Sequence, residues 1–180
     1  MGIFDLFRKK DKTPGYDATN LQITDIKEGF IFDYDLESWS VKRKATYDWG
    51  DDCFTDELQI FNGKETKYLS IEEDDEISIE ISQSIPISTV DEGSIPQYIH
   101  TYKKAPYNIK YNGVNYKLMS ESSGYYQKNE DASWDEVISW RYESNESDHF
   151  VDIDQWDDME FEASVGKSIK PYEISNILPR

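Results

Sequence analysis

From Glu57 to Ser82 the chain alternates apolar and polar residues through three consecutive runs. A period of two demands strands with one buried face and is incompatible with an amphipathic helix. The apolar sets are Leu58 and Ile60, then Leu69 and Ile71, then Ile77, Ile79 and Ile81. Ser139 to Ser164 carries the same order of sets without a gap: Trp140 and Tyr142, Val151 and Ile153, then Met159, Phe161 and Ala163. An acidic turn is expected between the last two sets of each stretch, at Glu72 to Glu76 and at Asp154 to Asp158. Identity is confined to Ile71/Ile153, Asp75/Asp157, Glu80/Glu162 and Ser82/Ser164, and any two strand-rich segments can be slid until their periods coincide. Shared length and order nevertheless argue for two similar β-units, with a true internal duplication left open.

Register follows from the same face argument. At Asn62-Gly63 a two-residue hairpin turn would place Leu58 and Ile60 on the face opposite Leu69 and Ile71. A four-residue loop, Asn62 to Glu65, pairs Leu58 with Leu69 and keeps all four together, and burial fixes register more strongly than turn preference. At Asn112-Gly113 a two-residue turn suffices, aligning Tyr111 with Val114, Ile109 with Tyr116 and Tyr107 with Leu118.

The flanking segments are simpler. Thr24 to Gly29 is expected to form a helical turn capped by Thr24 and stopped by Gly29. Phe30 to Tyr34 is a strand, Asp35 to Ser38 a turn, and Trp39, Val41, Ala45, Tyr47 and Trp49 one face of the next strand, interrupted by Arg43 at a bulge or rim. A connector with Pro86, Gly93, Pro96 and Pro106 holds a short helix around Gln97–Tyr102, and Pro171 opens a helical turn carrying Tyr172, Ile174, Ile177 and Leu178. Trp39, Tyr116, Trp140 and Tyr142 fall on inward faces and are expected in the core.

Composition narrows the function classes. A formal charge of −18 repels nucleic-acid phosphates and anionic lipid, so no nucleic-acid partner is expected. The 14% aromatic content argues for a packed body in spite of that charge. One cysteine, Cys53, excludes an internal disulfide framework, and two histidines exclude a His-rich metal site. With neither a long apolar run nor a signal-type apolar core, a cytoplasmic location is expected.

Residues 1–12 differ from the rest. Ile3, Phe4, Leu6 and Phe7 are followed by Arg8, Lys9, Lys10 and Lys12, an amphipathic pattern with a basic end, and Pro14-Gly15 begins a linker. The segment contributes +2 of the −18, leaving −20 on the remainder. It is a candidate docking segment for a partner or the inner membrane face, against the alternative that Phe4 and Phe7 cover an apolar patch of the body.

Catalytic and metal constellations do not emerge. The acidic turns lack the Ca²⁺-loop spacing and equally serve to keep a sheet edge solvated. A Cys53–His149 pair is far apart in sequence, and no phosphate-binding, dinucleotide-binding, nucleophile-elbow or zinc-protease motif is present. No catalytic, cofactor-binding or metal residue is assigned, and no cofactor is expected. Trp134 in an acidic loop and Trp156 in an acidic turn are the remaining candidates for docking, since exposed tryptophan marks contact surfaces.

Six segments carry a family resemblance: MGIFDLF at the start, Glu28-Gly29 leading into Phe30–Asp33, Tyr47-Asp48-Trp49-Gly50, Tyr68 to Glu72, Tyr111 to Tyr116, and Gly166 onward into Pro171-Tyr172-Glu173-Ile174. The chain resembles the bacterial domain of unknown function 4178 family over nearly its whole length. The resemblance implies a bacterial, intracellular, β-rich small-barrel protein associated with membrane-stress and polyamine-related genes, and it carries over no catalytic residue.

The expected architecture is all-β: two similar antiparallel β-units, barrel-like or sandwich-like, packed over one shared core with short helical turns at the N-terminus, connector and C-terminus. The bounds are residues 1–20 for the amphipathic segment and linker, 21–85 for the first unit, 86–106 for the connector and 107–180 for the second unit. The expected function is a non-enzymatic interaction or scaffold protein with a protein partner, linked to the membrane surface or envelope stress. Alternatives are an acidic inhibitor or immunity-type protein meeting a basic partner, and a small carboxylate-dependent hydrolase.

Overall fold

The computed structural model describes residues 21–73 and 76–180, so the 1–12 segment lies outside the described residues. The alternating runs are strands: β1 (Ile31–Tyr34), β2 (Glu37–Asp48), β3 (Phe54–Phe61), β4 (Thr66–Glu73), β5 (Ile77–Ile85), β6 (Asn108–Tyr111), β7 (Val114–Gln127), β8 (Trp134–Glu143), β9 (Phe150–Asp157), β10 (Glu160–Ile169) and β11 (Ile174–Leu178). Helix α1 (Ile95–Tyr102) lies in the connector, and 3₁₀ turns occupy Ile23–Asp25, Ile87–Thr89, Asp91–Gly93 and Pro171–Glu173. The protein is all-β, with short helical turns where they were expected.

Several local details differ from the sequence expectation. The first turn is capped at Gln22, not Thr24, because the Asp25 carboxylate reaches back to accept from the Gln22 N–H at 2.8 Å. Ile174 to Leu178 do not continue a helical turn. They form β11, which lies antiparallel to β1 and returns the C-terminal strand to the first unit.

All strand pairings are antiparallel, in the order β11-β1-β2-β3-β4-β5-β10-β9-β8-β7-β6. A further pairing of β2 with β7, Thr46↔Gln127, Tyr47↔Tyr126 and Asp48↔Tyr125, closes the sheet. Strands β2 to β5 and β7 to β10 thus form an eight-stranded ring. Its two seams are unequal: β5–β10 runs over seven residue pairs and β2–β7 over three.

Both hairpin registers argued from burial hold. Leu58 pairs with Leu69 across the four-residue loop Asn62–Glu65, where the Asn62 side chain accepts from the Lys64 and Glu65 N–H groups at 2.9 Å. Ile109 pairs with Tyr116 and Tyr111 with Val114, and the left-handed φ values of Asn112 (48°) and Gly113 (84°) are those a primed two-residue turn requires.

The single shared core is overturned: the ring carries two, on its outer face. One packs Leu58, Ile60, Leu69, Ile71, Ile79 and Ile81 against Phe30, Phe32 and Trp39, with Ile169 and Ile174 from the far end of the chain. The other packs Trp140, Tyr142, Val151 and Ile153 against Val90, Ile95 and Ile99 of the connector and α1. Trp39, Tyr116, Trp140 and Tyr142 are buried as expected, whereas Ile77 (41%) at the start of β5 and Met159 (53%) in the turn before β10 are exposed. A closed ring of strands has two faces, and an apolar outer one covered by edge strands and the connector leaves the inner one to the alternating polar residues.

Candidate functional site

Residues one position from each buried apolar side chain turn into the ring. Glu57, Ser70, Glu80, Ser82, Ser139, Asp152, Asp154 and Ser164 all line its lumen, which receives side chains from every one of the eight strands. Three bulges complete this lining, one of them in β9, where Trp156 is the extra residue between Gln155↔Phe161 and Asp157↔Glu160. Lys42 is the extra residue between Val41↔Ile60 and Arg43↔Gln59, and Met119 is the extra residue between Leu118↔Tyr142 and Ser120↔Arg141. Each bulge reverses the alternation of its strand. Trp39 and Val41 therefore face the outer core, while Arg43 and Tyr47 face inward, correcting the expectation that Trp39 to Trp49 share one face.

The lumen holds two cavities, of ≈ 450 Å³ and ≈ 650 Å³, that meet at Tyr47, Glu57 and Asp154. An eight-stranded barrel is just wide enough for ordinary side chains to fill, or to hold one small ligand. Here seven serines line the smaller cavity, and their short side chains leave the space open. Each cavity reaches the surface beside the short β2–β7 seam: one at the exposed Ser120 and Ser122, the other at Lys128 and Trp134.

Trp134 and Trp156, the two tryptophans singled out in the sequence, line the same cavity. Trp134 is 43% exposed at its mouth. Trp156 is not in a turn: β9 continues to Asp157, and only Asp158-Met159 reverse the chain. Its ring is half-buried, edge-on to Tyr126 at 5.1 Å, and its Nε1 is buried with no acceptor among the described residues. Tyr126 in turn lies 5.0 Å from Tyr47, and Tyr47 stacks on Trp49 at 5.1 Å with 5° between the planes. A row of four aromatics thus runs along the inner side of the seam. At its end Trp49 Nε1 donates to the Thr55 hydroxyl (3.0 Å), which donates to the Glu72 carboxylate (3.1 Å).

Opposite this row sits an ionic cluster. The Arg141 guanidinium donates two hydrogen bonds to Glu80, at 2.5 and 2.7 Å, and two to Asp152, at 2.8 and 2.9 Å, while lying 3.9 Å over the Phe150 ring. Burial works against the Arg141 charge, and the hydrogen bonds to Asp152 and Glu80 more than offset it. Asp152 is pushed up by burial despite Arg141. At the junction of the cavities, burial holds the carboxyls of both Glu57 and Asp154 up to about 7. Arg43 and a Tyr47 hydrogen bond pull Glu57 back down, and Glu162 pushes it up. For Asp154 the neighbouring Asp152, Glu57 and Glu162 add to burial, and a Ser139 hydrogen bond is the one opposing influence. Both keep some accessible area, but protein walls surround them, and enclosure rather than area sets the desolvation.

No group of three or more His, Cys, Asp or Glu among the described residues has the arrangement to hold a metal ion. Cys53 lines the smaller cavity and His149 lines neither, so the two are not brought together there. His149 pairs with Asp148 at 2.8 Å outside the ring. No helix of the described residues is long and apolar enough to cross a membrane.

The lumen was missed in the sequence because a polar face opposite an apolar one is normally the solvated side of a sheet. One signal pointed to it. Of the four identities between the two stretches, Glu80/Glu162 and Ser82/Ser164 all line the lumen.

No solved structure matches the chain significantly. A protein of Aquifex aeolicus (strain VF5), described as "Uncharacterized protein", is 28% identical over 180 residues, covering 97% of this chain and 95% of that relative. The profile of the family described as "Domain of unknown function (DUF4178)" matches residues 27–171, a span that contains all eight ring strands and every residue lining the lumen. The chain belongs to that family.

Proposed function

We propose that the chain is a non-enzymatic binding protein that takes a small polar ligand into the lumen of its ring, with Trp134 and Trp156 at one mouth. The observation that carries this reading is an interior of serines, carboxylates and aromatics with cavities of ≈ 450 and ≈ 650 Å³, within the range of small-molecule sites. Such an interior leaves polar groups unpacked, which a fold selected for stability alone would fill. The −18 charge by itself would suit a basic protein partner equally well, but ten acids line the cavities of the ring, where a protein surface does not reach. The test is to release and identify small molecules from the purified protein by denaturation and mass spectrometry, beside a Ser139→Tyr variant that fills the lumen. A compound present with the wild type and absent from the variant supports the reading. If none is found, and no compound in a broad screen of polar metabolites raises the wild-type melting temperature, it is wrong.

A second reading, a carboxylate-dependent hydrolase, is favoured by one observation: Glu57 and Asp154 both titrate near neutrality in one enclosure. Turnover of a hydrolysable substrate that disappears in both Glu57→Gln and Asp154→Asn would establish it over simple binding.

A further inference from the structure

The lining of the lumen is unbalanced in charge. The smaller cavity has five acids and one base, the larger seven acids and two bases, with Glu57 and Asp154 common to both. The single base of the smaller cavity, Arg141, already gives four of its five N–H donors to Glu80 and Asp152 and lies over Phe150, so one Nη1 hydrogen is all it has left for an anionic ligand. Asp154 stands among Asp152, Glu57 and Glu162 and makes no ion pair within 4.0 Å among the described residues. An enclosed carboxylate in that position gains more from a visiting cation than from any other group.

Two further features narrow the ligand. The aromatic row Trp49–Tyr47–Tyr126–Trp156 borders the carboxylates, and ring faces attract ammonium groups. The Trp156 indole N–H, buried with no acceptor among the described residues, calls for an oxygen that accepts a hydrogen bond. An ammonium has none to offer. From these positions we infer that the lumen binds a small organic cation that also carries an acceptor oxygen, such as an amino alcohol. Its ammonium sits at Asp154 and Glu57, and its oxygen lies toward Trp156. This rests on the reading of the lumen as a ligand site and adds the ligand's charge and its polar group.

A matched series tests the class on the full chain at constant ionic strength: 5-amino-1-pentanol (cation), 1,5-pentanediol (neutral) and 5-hydroxypentanoate (anion), read by calorimetry and by melting temperature. The amino alcohol is expected to bind and to raise the melting temperature while the diol and the acid do not. Asp154→Asn should weaken it about tenfold or more, as loss of one charge pair in an enclosed site does. Trp156→Phe, which keeps a ring and removes the N–H, should bring the amino alcohol down to the affinity of pentylamine. Binding of the diol or the acid as tightly as the amine, or amine binding unchanged in Asp154→Asn, overturns the class while leaving the lumen as the site. Magnesium binding in place of the amine overturns it in the same way. If none of the three binds and the broad screen also fails, both this inference and the proposed function fall.

Discussion

The same eight strands present two opposite chemistries. Outward, Leu58, Leu69 and Ile153 are fully buried in apolar packing. Inward, one residue away along each strand, Glu57, Ser70 and Asp154 surround open space. The outer faces hold the fold, and the inner faces are free to serve something else. A sheet closed with its apolar side out needs covers, and β1, β11, β6, α1 and the connector supply them. The difference teaches that stability and binding are separated by one position of the strand repeat rather than by distance in the fold.

The largest expected effect sharpens that contrast. Leu58→Ala and Ile153→Ala should each cost about 2–5 kcal/mol in urea unfolding, because each empties a fully packed site. Ser70→Ala in the lumen should stay within about 0.5 kcal/mol. A lumen serine that cost as much as a core leucine would erase the distinction.

Next in size is Arg141→Met. It strands Glu80 and Asp152 in the lumen, and about 2–3 kcal/mol should be lost at pH 7.5, discounted from a fully buried pair because the Arg141 side chain is 29% exposed. Most of the loss should return in the triple variant that adds Glu80→Gln and Asp152→Asn, measured by the same unfolding curves. Failure to recover would mean that Arg141 acts through packing on Phe150 instead.

Gly124→Ala probes the short seam. A Cβ there would collide with the Asp48 carbonyl oxygen and lie 2.8 Å from the Trp49 ring, so β2 and β7 must move apart where only three residue pairs hold them. The expected cost is about 1–2 kcal/mol, with faster amide exchange at Tyr47 and Tyr126 than in either core. Unchanged exchange at those two residues would show that the seam yields without opening.

The smallest effect is in pH dependence. A carboxyl raised to about 7 in the folded state binds its proton more tightly there than in the unfolded chain. Stability therefore falls as pH rises from about 4 to 7, and the full penalty is present above 7. Asp154→Asn should remove its share, flatten the slope between about pH 4 and 7, and gain about 1–2 kcal/mol at pH 8. An unchanged slope would mean that Asp154 is solvated well enough to ionise normally.

The strands, their buried faces and both hairpin registers were legible because they rest on alternation and local turns, as Leu58↔Leu69 and Ile109↔Tyr116 bear out. Closure was not legible. It depends on three pairs between residues 46–48 and 125–127, which no local pattern announces. With closure unknown, Glu57 and Asp154 looked like solvated surface, and Trp156 looked like part of a turn because acids flank it. Trp134 and Trp156 were noticed as unusual, but their meeting in one cavity depends on the ring.

The bulges at Lys42 and Met119 have a consequence for inheritance. Each is the one residue of its strand that pairs with nothing on the bulged side, so its codon could be gained or lost without moving its neighbours to other partners. Without Lys42, the pairs Val41↔Ile60 and Arg43↔Gln59 would simply become consecutive, and Arg43 and Tyr47 would stay in the lumen. A single-codon deletion anywhere else in β2 after the bulge would instead shift residues to new partners and faces. Descendants of one ancestral ring can therefore differ in strand length at these two points while keeping the same interior.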